Sequence, residues 1–192
     1  MTTPASPILA WHFVAGTLRD GTPIPPDGIP LCHPDHLPLT ICESGLHASV
    51  NVLHALRYAP GATLCRVAVS GDIQHQDDKL VARQRTILWR IDATALLRVF
   101  ARQCALDVAH LWDMPPVVRQ YLETGDESLR VAARDAAYAA ADAAVYAADA
   151  DAAVYAAVYA ARNTLIQKQT ARLLALVEQH IQPLQYQMDP AP

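Results

Sequence analysis

The pattern of hydrophobic and polar positions changes period near residue 92. Before it, short apolar runs are separated by turn residues; after it, apolar positions recur at helical spacing. Ile8–Val14 is a β-prone run followed by Gly16 and predicts a first strand. Residues 17–39 carry Pro23, Pro25, Pro26, Pro30, Pro34 and Pro38, which deny this stretch a helix or a central strand. They leave short extended pieces, such as 39–42, to pair at an edge. Gly45 allows a tight turn into 46–49, and Ser49 or Asn51 caps a short helix through Tyr58 that Pro60-Gly61 stops. Residues 63–69 accumulate apolar side chains and predict a central strand, closed by a turn at Gly71-Asp72. Residues 80–82 and 86–91 predict further strand, with Ile87, Trp89 and Ile91 on one face and Leu88 and Arg90 on the other. Asp77-Asp78 beside Lys79 marks a solvated turn.

Beyond Asp92, a helix N-cap, the spacing of Leu96, Leu97, Phe100, Cys104, Val108 and Leu111 predicts a helix to about residue 112. Met114-Pro115-Pro116 breaks it, and a short helix follows to Leu122. Thr124-Gly125-Asp126-Glu127 matches a capping box that launches an alanine-rich segment. Asn163-Thr164, with Gln167 as reciprocal partner, signals a second start. The final helix carries Leu165, Leu173, Leu174, Leu176, Val177 and Ile181 and ends at Pro183. One helix over 127–181 would span roughly 80 Å, so a break is expected near 149–151 or near Asn163. The fold class is α+β: a small mixed β-domain over 1–92, a helical region over 93–183 and a tail over 184–192.

The alanine-rich segment repeats itself. DAAVYAA stands at 142–148 and again at 151–157, with a weaker copy at 135–141. Asp135, Asp142 and Asp149 share one slowly drifting stripe. Opposite lie Ala132, Ala136, Ala139, Ala143, Ala147, Ala150, Val154, Ala157 and Ala161, a face small enough to let another helix approach closely, within the chain or in a homo-oligomer. The rival reading is a partner surface built on Tyr138, Tyr146, Tyr155 and Tyr159, aromatics whose polar tips suit wet interfaces.

Composition narrows the chemistry. A net charge of −4 gives no basic footprint for nucleic acid. Aspartates interrupt the only membrane-like run, 131–161, so no membrane span is expected. Cys32, Cys42, Cys65 and Cys104 show no regular spacing, and MTTPASPILAW lacks the pattern of a secretory signal; a reduced, cytoplasmic setting is expected. Cys32, His33, His36 and Cys42 form the one metal-like cluster, but C-H-x-x-H-x₅-C matches no common zinc site, and no metal is expected. No G-x-S-x-G elbow, P-loop or dinucleotide-binding glycine pattern occurs, so no cofactor is assigned and no catalytic residue named.

Two resemblances carry what remains. Trp11-His12 on the first strand, the turn Gly45-Leu46-His47-Ala48-Ser49 and the helix step Ala55-x-x-Tyr58 follow one another in an order that resembles ADP-ribosyltransferases of the poly(ADP-ribose) polymerase type, over about 8–92. The resemblance implies that His12 holds the ribose of NAD, that Tyr58 stacks on nicotinamide, and that Ser49 lies near the pocket. That family completes its site with a glutamate on a later strand. Here the corresponding stretch LVARQRTILWRI holds no carboxylate, and Gln84 is the nearest isostere. Without the carboxylate, the charge developing on the ribose loses its main stabiliser.

The second resemblance runs from about residue 40 onward: G-L-H-A-S, A-L-R-Y, L-x-R-V-x-V-x-G, D-K-L-V-A, and then T-G-D-E-S-L-R leading into an alanine-rich tail. It is similar to a family of uncharacterised phage and prophage proteins and implies an accessory role in a mobile element. The expectation is a non-enzymatic inhibitor or binding module acting on a host protein or a nucleotide-like small molecule. The alternative is an ADP-ribosyltransferase with an altered site. The ligand-binding candidates are His12, His47, Ser49, Tyr58 and Gln84.

Overall fold

The computed structural model describes residues 6–18, 21–145 and 165–182. The chain divides into two compact units, Met1–Thr94 and Ala95–Pro192, and is α+β, with an antiparallel sheet followed by a helical region.

The first unit contains β1 (Ile8–Val14), β2 (Pro30–Cys32), β3 (Leu46–Ala48), α1 (Val52–Arg57), β4 (Thr63–His75) and β5 (Leu80–Asp92). All strand pairings are antiparallel, in the order β1-β4-β5-β2, and β3 also lies along β5. The residue after β3 closes the path. Ser49 accepts from Trp11 N (2.8 Å) and donates to the Trp11 carbonyl (2.9 Å), so the strand that flanks β5 also reaches β1. Directly opposed residues share a face of an antiparallel pair. The register therefore gathers Ile8, Ala10, His12 and Val14 of β1 with Cys65, Val67 and Val69 of β4 and Arg85 and Ile87 of β5. Most of these side chains, joined by Ala48, Leu80 and Ala82, form one buried cluster. On the other face of β1, Trp11, Phe13 and the opposing strand's Leu64 are buried. Trp11 meets Trp89 edge to face at 5.8 Å, and the Arg66 guanidinium lies 4.4 Å from the Trp11 ring centre. Helix α1 begins at Asn51, whose side chain accepts from Leu53 N (2.8 Å), as its residue type predicts.

Several expectations change. No turn forms at Gly71-Asp72. These residues are accommodated by an irregularity between Ser70 and Ile73, and β4 continues to His75. The hairpin turn lies at 76–79, where Gln76 N donates to the Lys79 carbonyl. β5 is one strand with a second irregularity, since Arg66 opposes Trp89 while Val67 opposes Ile87. The extra residue, Leu88, moves Ile87 to the face opposite Trp89 and Ile91, against the expected alternation. The edge piece in the proline-rich stretch is β2, with Pro30 as its first residue. Of 39–42, only Thr40 forms a bridge, with Ser44.

The second unit holds α2 (Thr94–Asp107), α3 (Pro116–Thr124), α4 (Arg130–Val145) and a helix over 165–182, here α5. Asp92 Oδ1 accepts from the Thr94 N–H and hydroxyl at the start of α2. α2 ends at Asp107 rather than near 112, which leaves Leu111 70% exposed. Its last residue instead joins α5: the Arg172 guanidinium contacts both Asp107 oxygens (2.7 and 3.1 Å), and Lys168 reaches Oδ1 (3.1 Å). The Arg172 hydrogen bond, helped by Lys168, holds the Asp107 carboxyl at about 2. Leu173 and Val177, one turn apart, are the buried positions of α5. The capping box is not formed as expected, because Gly125 closes α3 and Asp126, not Thr124, caps the next turn by accepting from Ser128 N. Among the described side chains of α4 the buried alanine is Ala133, with Ala136 and Ala137 beside it, while Ala132 and Ala139 are exposed. The break in the alanine-rich segment, the second start at Asn163-Thr164 and the two DAAVYAA copies from Tyr146 onward lie outside the described residues. No helix among the described residues is long and apolar enough to cross a membrane.

Candidate functional site

The candidate residues separate into three places. His12 sits mid-way along β1, opposite Cys65, on the face that also carries Arg85. Burial, with the Arg85 guanidinium and His47 nearby, holds its imidazole well below the usual histidine range. His47 lies in β3, where its carbonyl accepts from Arg85 Nη1 at 2.6 Å and its Nε2 accepts the Cys42 N–H at 2.9 Å. Its ring proton therefore sits on Nδ1. Ser49 is 2% exposed and contributes its main chain to the closure of the strand path.

Gln84 belongs elsewhere. It opposes Ser70 in the register, one residue from Arg85, and so lies on the face away from His12. Its Oε1 accepts from Ser70 Oγ (2.7 Å) and its Nε2 lies 3.6 Å from Cys32 Sγ.

Tyr58 forms the third place. It caps the C-terminal end of α1 and is 51% exposed. Its hydroxyl donates to Asp78 Oδ2 (2.6 Å), and Lys79 Nζ sits 4.6 Å from its ring centre. The ring that was expected to stack on a heterocycle is thus engaged by a lysine at the β4–β5 turn. His12 and Tyr58 share none of these partners. Of the expected tyrosine surface, Tyr138 is 67% exposed; Tyr146, Tyr155 and Tyr159 lie outside the described residues.

Sequence reading passed over Arg85 and Cys65. Arg85 is 6% exposed, and burial lowers its guanidinium to about 10, which leaves it charged at neutral pH. Burial pushes the Cys65 thiol up to about 11, the opposite of an activated nucleophile. Nearby, Arg90 Nε donates to Asp27 Oδ1 (2.6 Å) and Arg90 Nη2 to the Pro25 carbonyl (2.6 Å), which ties the proline-rich stretch to β5. All four cysteines are free thiols. His33 Nε2 lies 3.1 Å from both the Pro38 carbonyl and Ser44 Oγ, and no group of three or more His, Cys, Asp or Glu among the described residues is placed to hold a metal ion.

Comparison with known proteins adds a partial match. Residues 31–99 are similar to a family described as a domain of unknown function (DUF7666). The matched stretch runs from β2 into α2 and includes His47, Ser49, Tyr58, Gln84 and Arg85, but not His12. Neither a curated protein nor a solved structure matches the chain.

The site carries a pH dependence. The unfolded chain protonates His12 near its ordinary value of about 6.5, whereas the folded domain resists that proton until well below it. Between the two values the unfolded state binds more protons, so stability is full above about pH 7 and falls as the pH drops through 6.5. The groups facing His12 are Arg85 from β5 and His47 from β3, with Cys65 opposite on β4. His12→Gln is expected to flatten the fall in urea midpoint between pH 7.5 and 5.5. An unchanged slope would place the titrating group elsewhere.

Proposed function

We propose that this chain is a non-enzymatic accessory protein of a phage or prophage whose β-domain binds a nucleotide-like ligand in a cytoplasmic setting. The observation that supports binding without turnover is the chemistry around His12. Its charged and titratable neighbours are a guanidinium, a second imidazole and the Cys65 thiol, and Gln84, the one isostere of the glutamate that a transferase needs, is on the opposite face. Asp27, the carboxylate that acts on Cys65 of this face, is held by Arg90. Such a set recognises an anion or a polar heterocycle but supplies no negative charge to a developing oxocarbenium ion. The mobile-element origin rests on the run of short motifs from residue 40 onward.

Calorimetric titration with AMP and ADP-ribose, beside an assay for ADP-ribose transfer from labelled NAD, tests the reading. Saturable nucleotide binding with no transfer is the expected result. Transfer that disappears in Tyr58→Ala would overturn it in favour of an ADP-ribosyltransferase, and no nucleotide binding at all would redirect the search to a host protein.

A further inference from the structure

Arg85 is the least explained charge in the β-domain. It is almost wholly buried, and among the described residues its guanidinium makes one hydrogen bond, from Nη1 to the His47 carbonyl, and pairs with no carboxylate. The contrast with Arg90 is direct, since Arg90 has Asp27. A buried cation without a counter-ion is unfavourable in a folded protein unless something supplies the negative charge. His12, its neighbour across the face, makes no side-chain hydrogen bond among the described residues. Yet no fully buried side-chain nitrogen or oxygen among those residues lacks a partner. The unbonded nitrogens of Arg85 and His12 therefore keep some contact with solvent. A charged fork from β5 and an imidazole from β1, on the same face of the sheet and both with donors to spare, describe an anion site.

The geometry points to Arg85 as the anchor of a phosphate-type oxyanion, bound on the His12 face with His12 as second donor. This deepens the reading of the β-domain as a binding module and rests on it. A tetrahedral phosphate fits better than a planar carboxylate, because the donors arrive from two strands rather than in one plane. A guanidinium also holds phosphate through paired N–H donors, which lysine cannot reproduce. The His47 carbonyl holds one corner of the fork, at Nη1.

The test uses the full chain at constant ionic strength, so that screening does not mimic binding. Melting temperature and calorimetry are followed with sodium phosphate, sodium acetate, adenosine and AMP. Phosphate and AMP are expected to raise the melting temperature by about 2–4 °C, while acetate and adenosine leave it unchanged. Arg85→Met should weaken phosphate binding about tenfold or more and melt no lower than the unliganded wild type, since it removes an uncompensated charge. If Arg85→Met does not fold, Arg85→Lys serves instead, with the charge kept and the fork lost, and should also bind phosphate about tenfold more weakly. AMP binding tighter than phosphate identifies a nucleotide as the source of the group; equal affinity identifies free phosphate. No response to phosphate, or an equal response in the Arg85 variant, overturns the inference. Adenosine binding as well as AMP, with phosphate inert, overturns it while leaving the binding-module reading in place. ADP-ribose transfer accompanied by Arg85-dependent phosphate binding would do the reverse.

Discussion

Gly45→Ala is expected to lower the stability of the β-domain by about 2–5 kcal/mol, through backbone strain and overpacking together. Gly45 has φ of +117°, a region that side-chain-bearing residues rarely adopt. A Cβ built there would lie 2.5 Å from Leu39 Cδ1 and 2.5 Å from Val81 Cγ2. Leu39 can swing aside, being the far end of a flexible side chain, but Val81 is β-branched and fully buried and cannot. The two causes can be separated. Gly28 also has a positive φ, +80°, with nothing within 4 Å of its would-be Cβ, so Gly28→Ala carries the strain alone. The expected order of urea midpoints is wild type, then Gly28→Ala, then Gly45→Ala, read from the fluorescence of Trp11 and Trp89. Equal midpoints for the two variants would show that the crowding relaxes freely. Because Gly45 immediately precedes β3, its loss should also release the His47 carbonyl from Arg85 and weaken any ligand bound there.

What could be read from the sequence depended on whether the pattern stayed in step with the chain. β1 was legible because seven residues of strand run without interruption, and α1 because Asn51 is a strong cap before an apolar step. β4 and β5 were legible as strands but not as faces. Each irregularity consumes an extra residue, and an alternation counted through it assigns every later side chain to the wrong side. That is why Ile87 falls with Trp89 when alternation is counted through Leu88; Gln84 entered only as the nearest isostere of a glutamate, and no pattern tied it to the face of His12. Had β5 been read as one strand from 80, Arg85 and Ile87 would have fallen on one face by simple alternation. On α4 the difficulty was a lack of contrast. With alanine at most positions, the pattern could not choose between the stripe through Ala132 and Ala139 and the one through Ala133 and Ala137, and packing against α3 decides it. At 124–127 two capping residues stand two positions apart, and the choice went to Asp126 because Gly125 was already used to end α3.

The closure of the strand path had no local signature at all, since it joins Trp11 to Ser49 across the whole proline-rich stretch. Ser49→Pro tests it directly. Proline removes the N–H that donates to the Trp11 carbonyl at 2.9 Å, and its ring crowds the bridge; the carbonyl left unpaired alone costs about 1–3 kcal/mol. The change is clean on its N-terminal side, because Ala48 is already extended, the conformation that a following proline favours. Ser49→Ala is the matched control. It keeps both main-chain bonds and removes only a buried hydroxyl, for about 1 kcal/mol. A wide gap between the two midpoints is therefore expected, with Ser49→Pro also losing nucleotide binding as β3 and the His47 carbonyl drift from Arg85. Equal midpoints would show that β1 and β3 hold together without this pair. Nucleotide binding lost in Ser49→Ala, with its midpoint unchanged, would instead assign the hydroxyl to the ligand.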